Sequence, residues 1–106
     1  MTTMPKILVV VHDIDDNLNE MANPIAEAGI LMDTWDVQND SVGRPDLEEL
    51  EQYSGIISLG AHAGVLEEEK HPWMSHERKI MQWALATETP LLGLCFGSQL
   101  LASAAG

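Results

Sequence analysis

Basic residues are scarce in this chain: Lys and Arg number 5 against 17 Asp and Glu, for a net charge of -12. Phosphate backbones are neutralised by clustered Lys and Arg, so nucleic acid is excluded as a partner. Anionic membrane surfaces are excluded on the same ground, and the acidity reads as a solubility device. Cysteine is scarcer still. Cys95 stands alone, which rules out an internal disulfide. The four histidines, His12, His62, His71 and His76, show no metal-ligand spacing, and no second cysteine exists to complete a zinc set. No Walker or dinucleotide type of glycine loop occurs either, so neither metal nor cofactor is expected. Long apolar runs are missing: none approaches the roughly 20 residues of a membrane span. The apolar segment 7–11 is too short and too closely bounded by charge for a signal peptide. These absences favour a soluble, cytoplasmic protein. At 106 residues, 45% of them hydrophobic, residues 1–106 make one domain at most, with enough apolar material for a core.

What is present is an alternation of strand and helix signals. Residues 6–11 (Lys-Ile-Leu-Val-Val-Val) are continuously apolar and β-branched after the lysine, the pattern of a central parallel strand buried on both faces. A polar loop, His12-Asp13-Ile14-Asp15-Asp16, follows; its carboxylates lack EF-hand spacing and read as solvated groups and helix caps. Leu18, Met21, Ala22, Ile25 and Ala28 recur at helical spacing, with Gly29 as the C′ residue. Pro24 predicts either a bend in that helix, the reading preferred here, or a firm start at Asn23 and Pro24. A second strand is expected over 30–37, with Trp35 inward or at the rim. A short acidic helical turn capped by Asp46 is expected over 46–52, and a third strand over 55–59. Glu67 to Glu69 reads as a solvated run. A helix beginning at Trp73 or Ser75 and ending near Ala86 follows, its stripe formed by Trp73, Ile80, Trp83 and Ala84 and widened by Met81 and Leu85. Trp73 and Trp83 read as packing residues, and His71 and His76 as solvated or capping groups. A fourth strand over 91–94 and a small-residue helix over 98–105 complete the pattern. Such alternation predicts a parallel α/β sheet with right-handed crossovers. Ligands bind such sheets beyond the carboxyl ends of the strands, where the loops after Val11 and Leu59 converge with Cys95.

The stretch from Pro90 to Gln99 carries the chemistry. A short apolar strand runs into Cys95, glycines stand two residues before and two after it, and a helix pattern follows at once. Strand, sharp turn with a nucleophile, and helix is the layout of a nucleophile elbow. The flanking glycines suit it, because side chains beside such a turn would clash. A helix N-terminus directly after a cysteine favours its thiolate, the reactive form.

Gly93-Leu94-Cys95-Phe96-Gly97-Ser98-Gln99 fits G-x-C-x-G-x-Q and resembles the class I glutamine amidotransferase family, in its stand-alone, GMP-synthase-like form. Leu59-Gly60-Ala61-His62, the Glu67 to Trp73 segment with its following helix, Thr89-Pro90-Leu91-Leu92-Gly93, and His12 after the first strand also look like that family. The resemblance implies a flavodoxin-like three-layer α/β sandwich with a parallel sheet, cut short after the elbow, so that 1–106 is a partial domain. It implies that Cys95 attacks the side-chain amide of glutamine, giving a γ-glutamyl thioester and ammonia. The oxyanion donors would be the backbone N–H of Phe96 and a backbone N–H from the Gly60-Ala61 loop, and Gln99 would help hold the substrate. The family's loop commonly has glycine where Ala61 stands and proline where His62 stands. Ammonia would pass to a synthase partner.

The family's catalytic base comes as His-x-Glu after the cysteine. Residues 100–106 contain neither His nor Glu, so the chain reads as truncated relative to the family. His12 and His62 could reach the same sheet edge as Cys95, but rim histidines without a catalytic role are the preferred reading. Three alternatives stand beside the amidotransferase. A γ-glutamyl hydrolase or peptidase would share the elbow chemistry. A non-catalytic half-domain would pair through its open sheet edge into a homo-oligomer. A single-cysteine redox protein is the third, which Gln99 disfavours.

Overall fold

A computed structural model of the chain describes residues 5–13, 22–37, 46–61, 68–94 and 96–106. Within them lie four strands and three α-helices, in the order β1 (Lys6–Val11), α1 (Ala22–Glu27), β2 (Leu31–Asp36), β3 (Gly55–Ser58), α2 (Pro72–Ala86), β4 (Leu91–Gly93) and α3 (Phe96–Ala105). Short 3-10 turns at Glu49–Gln52 and Glu68–Lys70 precede β3 and α2. All strand pairs are parallel and the sheet order is β2-β1-β3-β4. This is the α/β architecture expected from the alternation. The β1–β2 crossover runs one way along the sheet and the β3–β4 crossover the other. Right-handed connections therefore set α1 and α2 on opposite faces.

β1 matches its expected span and lies centrally, with Leu8, Val9 and Val10 all buried. Its side chains alternate. Leu8 and Val10, with Ile56 of β3, join the main core formed with Trp73, Met74, Ile80, Met81 and Ala84 of α2 and Phe96 and Leu100 of α3. Trp35 closes the β2 end of that core, buried as expected. On the opposite face Ile7, Ile57 and Leu92 line a shallow apolar depression with Pro5 and Ile30. Leu92 is 46% exposed there, and β4 is an edge strand among the described residues.

Helix ends follow local chemistry. Pro24 falls in the first turn of α1, where its missing N–H costs little. The part of the expected helix before Ala22 lies outside the described residues. Gly29 takes φ +80°, and the N–H groups of Gly29 and Ile30 donate to the carbonyls of Ala26 and Ile25, a Schellman closure. Asp46 accepts a hydrogen bond from the Glu49 N–H at 2.9 Å, the expected cap. α2 begins at Pro72, close to its expected start. It ends on Glu88, a non-glycine residue at φ 57°, while the Thr87 hydroxyl donates to the Trp83 carbonyl at 2.9 Å. Leu85, expected to widen the buried stripe, is 46% exposed; Met74 and Glu77 occupy the buried face instead. Among the described residues no helix is long and apolar enough to cross a membrane.

Candidate active site

The carboxyl ends of β1 and β3 and the turn after β4 bring His12, Gly60 and Phe96 together. One hydrogen bond ties the elbow to β3 and a second closes the turn on itself. The Leu94 N–H donates to the Ser58 carbonyl at 2.9 Å, and the Gly97 N–H donates to the Leu94 carbonyl at 2.9 Å. Both elbow glycines are sterically required. A Cβ on Gly93 would meet the Gly97 carbonyl oxygen at 2.6 Å, and one on Gly97 would collide with the Ser58 carbonyl. The start of α3 therefore lies directly on the end of β3. Cys95 itself lies outside the described residues, as does His62. Phe96 opens α3 and is buried. Its N–H belongs to the first turn, whose N–H groups have no partner within the helix. Gln99 is exposed on that first turn. Gly60 is buried and Ala61 half-buried at the end of β3.

Beneath this junction is a polar cluster that sequence reasoning missed. The His12 Nε2 lies 2.6 Å from Glu77 Oε1, and the Ser58 hydroxyl donates to Glu77 Oε2 at 2.5 Å. His12 Nδ1 lies 3.2 Å from the Gly60 carbonyl oxygen. His12 is 1% exposed, and Ser58 and Glu77 are fully buried. The His12 ring packs against Trp73 and Phe96, with centroids 5.0 Å from each. Among the described residues no buried side-chain nitrogen or oxygen is left without a partner. Completeness matters, because a buried polar group left without its partner typically costs about 1–3 kcal/mol.

These contacts correct two expectations. His12 is no rim histidine: it continues the Leu8, Val10 alternation of β1 and points into the core. With one ring nitrogen facing a carbonyl and the other a carboxylate, it is also poorly placed to serve as a base for a cysteine. Nor are His71 and His76 simply solvated or capping. Both are half-buried; His71 packs on Trp73 at 5.5 Å, His76 packs edge-on against Trp35 at 5.5 Å, and the His71 side chain makes no capping bond to α2. Glu77 had a signal in the sequence, since it falls on the helical stripe with Trp73, Ile80, Met81 and Ala84. A charged residue at a buried stripe position calls for a buried partner. Among the described residues, no three His, Cys, Asp or Glu side chains group as a metal site would need.

Away from this cluster, the Tyr53 hydroxyl donates to Asp33 at 2.8 Å, and Lys6 lies 3.2 Å from the same carboxylate. The hydrogen bond from Tyr53 does most to hold the Asp33 carboxyl below its ordinary range; slight burial opposes it and Lys6 assists. Burial, then the neighbouring Asp33, pushes the Tyr53 phenol up.

Comparison with solved structures joins this architecture to a family. A glutamine amidotransferase from Thermotoga maritima superposes on 99% of the chain with a TM-score of 0.87 and 32% sequence identity. In fold and in sequence the chain is glutamine amidotransferase-like. A glutamine amidotransferase from Methylobacillus flagellatus shares the fold, with a TM-score of 0.82 over 99% of the chain at 22% identity. A glutamine amidotransferase-like protein of Acanthamoeba polyphaga mimivirus is 33% identical over 58 residues, 55% of this chain. No protein-family model matches. The amidotransferase-like chain spans only part of these relatives: 44% of the Thermotoga chain, 40% of the Methylobacillus chain and 28% of the mimivirus protein.

Proposed function

We propose that this amidotransferase-like chain supplies the nucleophile and the oxyanion donors of a glutaminase. In this reading the Cys95 thiolate attacks the side-chain amide carbon of glutamine. A tetrahedral oxyanion forms and then collapses; the C–N bond breaks, and ammonia leaves as it takes up a proton. Water hydrolyses the γ-glutamyl thioester, releasing glutamate and restoring the thiol. The N–H groups of Phe96 and Ala61 hold the oxyanion, and Gln99, exposed on the first turn of α3, helps to hold the glutamine. The proton relay belongs to the His-x-Glu pair of the family rather than to His12, whose two ring nitrogens are engaged by Gly60 and Glu77. Ammonia would go to a synthase partner.

The observation that carries this reading is the pinned elbow. Leu94 is hydrogen-bonded to the Ser58 carbonyl and Gly97 packs against it, and Ser58 belongs to the cluster that also holds Gly60. This supports an oxyanion hole built from those two backbone segments. The test is ammonia release from free glutamine by the full polypeptide that carries this sequence, with Cys95→Ala as the control. Release that depends on Cys95 supports the reading. Turnover of γ-glutamyl peptides without any ammonia from glutamine would replace it with a γ-glutamyl hydrolase.

A further inference from the structure

The His12–Glu77–Ser58 cluster takes no part in the chemistry just described, yet it is buried, complete and in contact with the candidate oxyanion loop. Its donors and acceptors can be assigned. The Gly60 carbonyl can only accept, so His12 Nδ1 must carry the hydrogen. The Ser58 hydroxyl donates to Glu77 Oε2, leaving Oε1 to face His12 Nε2 with one proton between them. That proton can sit on the imidazole or on the carboxyl. Either arrangement leaves Nδ1–H pointing at Gly60, so the contact does not depend on the charge state of the pair.

The consequence falls on the next peptide. In a trans peptide the C=O and N–H point in opposite directions. A Gly60 carbonyl held by His12 therefore turns the Ala61 N–H away from the buried cluster. Gly60 has no side chain to resist rotation of this peptide. If it rotated, the carbonyl dipole would replace the N–H at the position where negative charge develops. We propose that His12 is a positioning residue for the oxyanion hole: held by Glu77 and Ser58, it fixes the Gly60–Ala61 peptide so that the Ala61 N–H is presented to the reacting carbonyl. Trp73 and Phe96 keep the imidazole in its plane, and Phe96 also supplies the other donor. The same histidine thus touches both segments that carry the donors. This inference rests on the glutaminase reading for its catalytic consequence, but not for the hydrogen bond itself.

The test uses the full polypeptide with His12→Leu and His12→Asn. The asparagine amide nitrogen is as many bonds from Cα as Nδ1 and can donate to Gly60 in its place; leucine cannot. In His12→Leu, kcat for glutamine hydrolysis should fall on the order of 10²–10³-fold, the usual effect of losing one oxyanion donor, with KM little changed. Alkylation of Cys95 by iodoacetamide builds no oxyanion and should keep its parental rate. His12→Asn should recover much of kcat. Unchanged kcat in His12→Leu overturns the proposal, and so does a parallel loss of alkylation and hydrolysis in both variants, which would mean a structural role. A second measurement does not need activity. Long-range 15N–1H spectra of the parent should show His12 protonated on Nδ1, and the Ala61 amide resonance should move in His12→Leu and return in His12→Asn. A bare Nδ1, or an Ala61 resonance that ignores the substitution, overturns the inference. Should the parent release no ammonia at all, the glutaminase reading fails, and these spectra still decide the hydrogen bond and its effect on the peptide.

Discussion

Replacing Gly97 with alanine puts a methyl group into the contact between α3 and β3. The new Cβ would stand 2.8 Å from the Ser58 carbonyl carbon and 2.8 Å from its hydroxyl oxygen, and closer still to the carbonyl oxygen. Heavy atoms at optimal separation stand roughly 3.5–4.0 Å apart, so α3 must withdraw from β3 by on the order of 1 Å. Overpacking of this kind costs about 1–3 kcal/mol. The withdrawal also strains the Leu94 N–H bond to Ser58, a contribution of about 0.5–1.5 kcal/mol. Alanine returns about 0.5–1 kcal/mol as the better helix former. The net loss is about 2–3 kcal/mol, which in a domain of this size lowers Tm by roughly 10–20 °C. Thermal unfolding followed by circular dichroism reads this directly. Gly55→Ala is the control, because the nearest atom to its new Cβ is the Pro90 carbonyl oxygen at 3.4 Å, an ordinary contact. A Gly97→Ala protein that melts with the parent, or a Gly55→Ala protein equally damaged, would refute the steric argument.

Three further outcomes follow from the same structure. Leu100→Ala, at a fully buried position of α3, should lower stability by about 2–5 kcal/mol in urea unfolding. Glu88→Gly should raise it by up to about 1 kcal/mol, because glycine takes the left-handed conformation that ends α2 at little cost; a loss of stability in the same assay would mean that the Glu88 side chain has a role of its own. Asp33 supplies a pH dependence. Its folded-state pKa is depressed, so its contribution is fully present above its unfolded value of about 3.9 and is lost as pH falls through the folded value. Tyr53→Phe should move the Asp33 titration, followed by carboxyl-carbon NMR, up toward its ordinary range; an unmoved titration would mean that the hydroxyl is not the main cause.

Much of the fold could be read locally. The β1 run, the Asp46 cap, Gly29 at the end of α1 and the strand-turn-helix layout around Cys95 are all set by residues close in sequence, and the structure agrees wherever those residues are described. The polar cluster was hidden for the opposite reason. His12, Ser58 and Glu77 come from three separate elements, and nothing near any one of them announces the other two. By sequence His12 looks like loop, because it follows the apolar run and precedes acidic residues, although it keeps the two-residue alternation of Leu8 and Val10. A carboxylate such as Glu77 defaults to solvent, although the helical stripe of Trp73, Ile80, Met81 and Ala84 leaves it facing the core. Leu85 stands at the margin of the same stripe, beyond Met81, and is exposed.

The central claim concerns Cys95, and the most direct measurement is to trap its acyl intermediate. The full polypeptide would be mixed with glutamine, quenched in acid within its turnover time and digested, and the peptide containing Cys95 weighed by mass spectrometry. A γ-glutamyl adduct on that peptide, absent from Cys95→Ala and matched by ammonia release, is the expected result. An unmodified Cys95 peptide in a folded protein that releases no ammonia from glutamine would contradict the account.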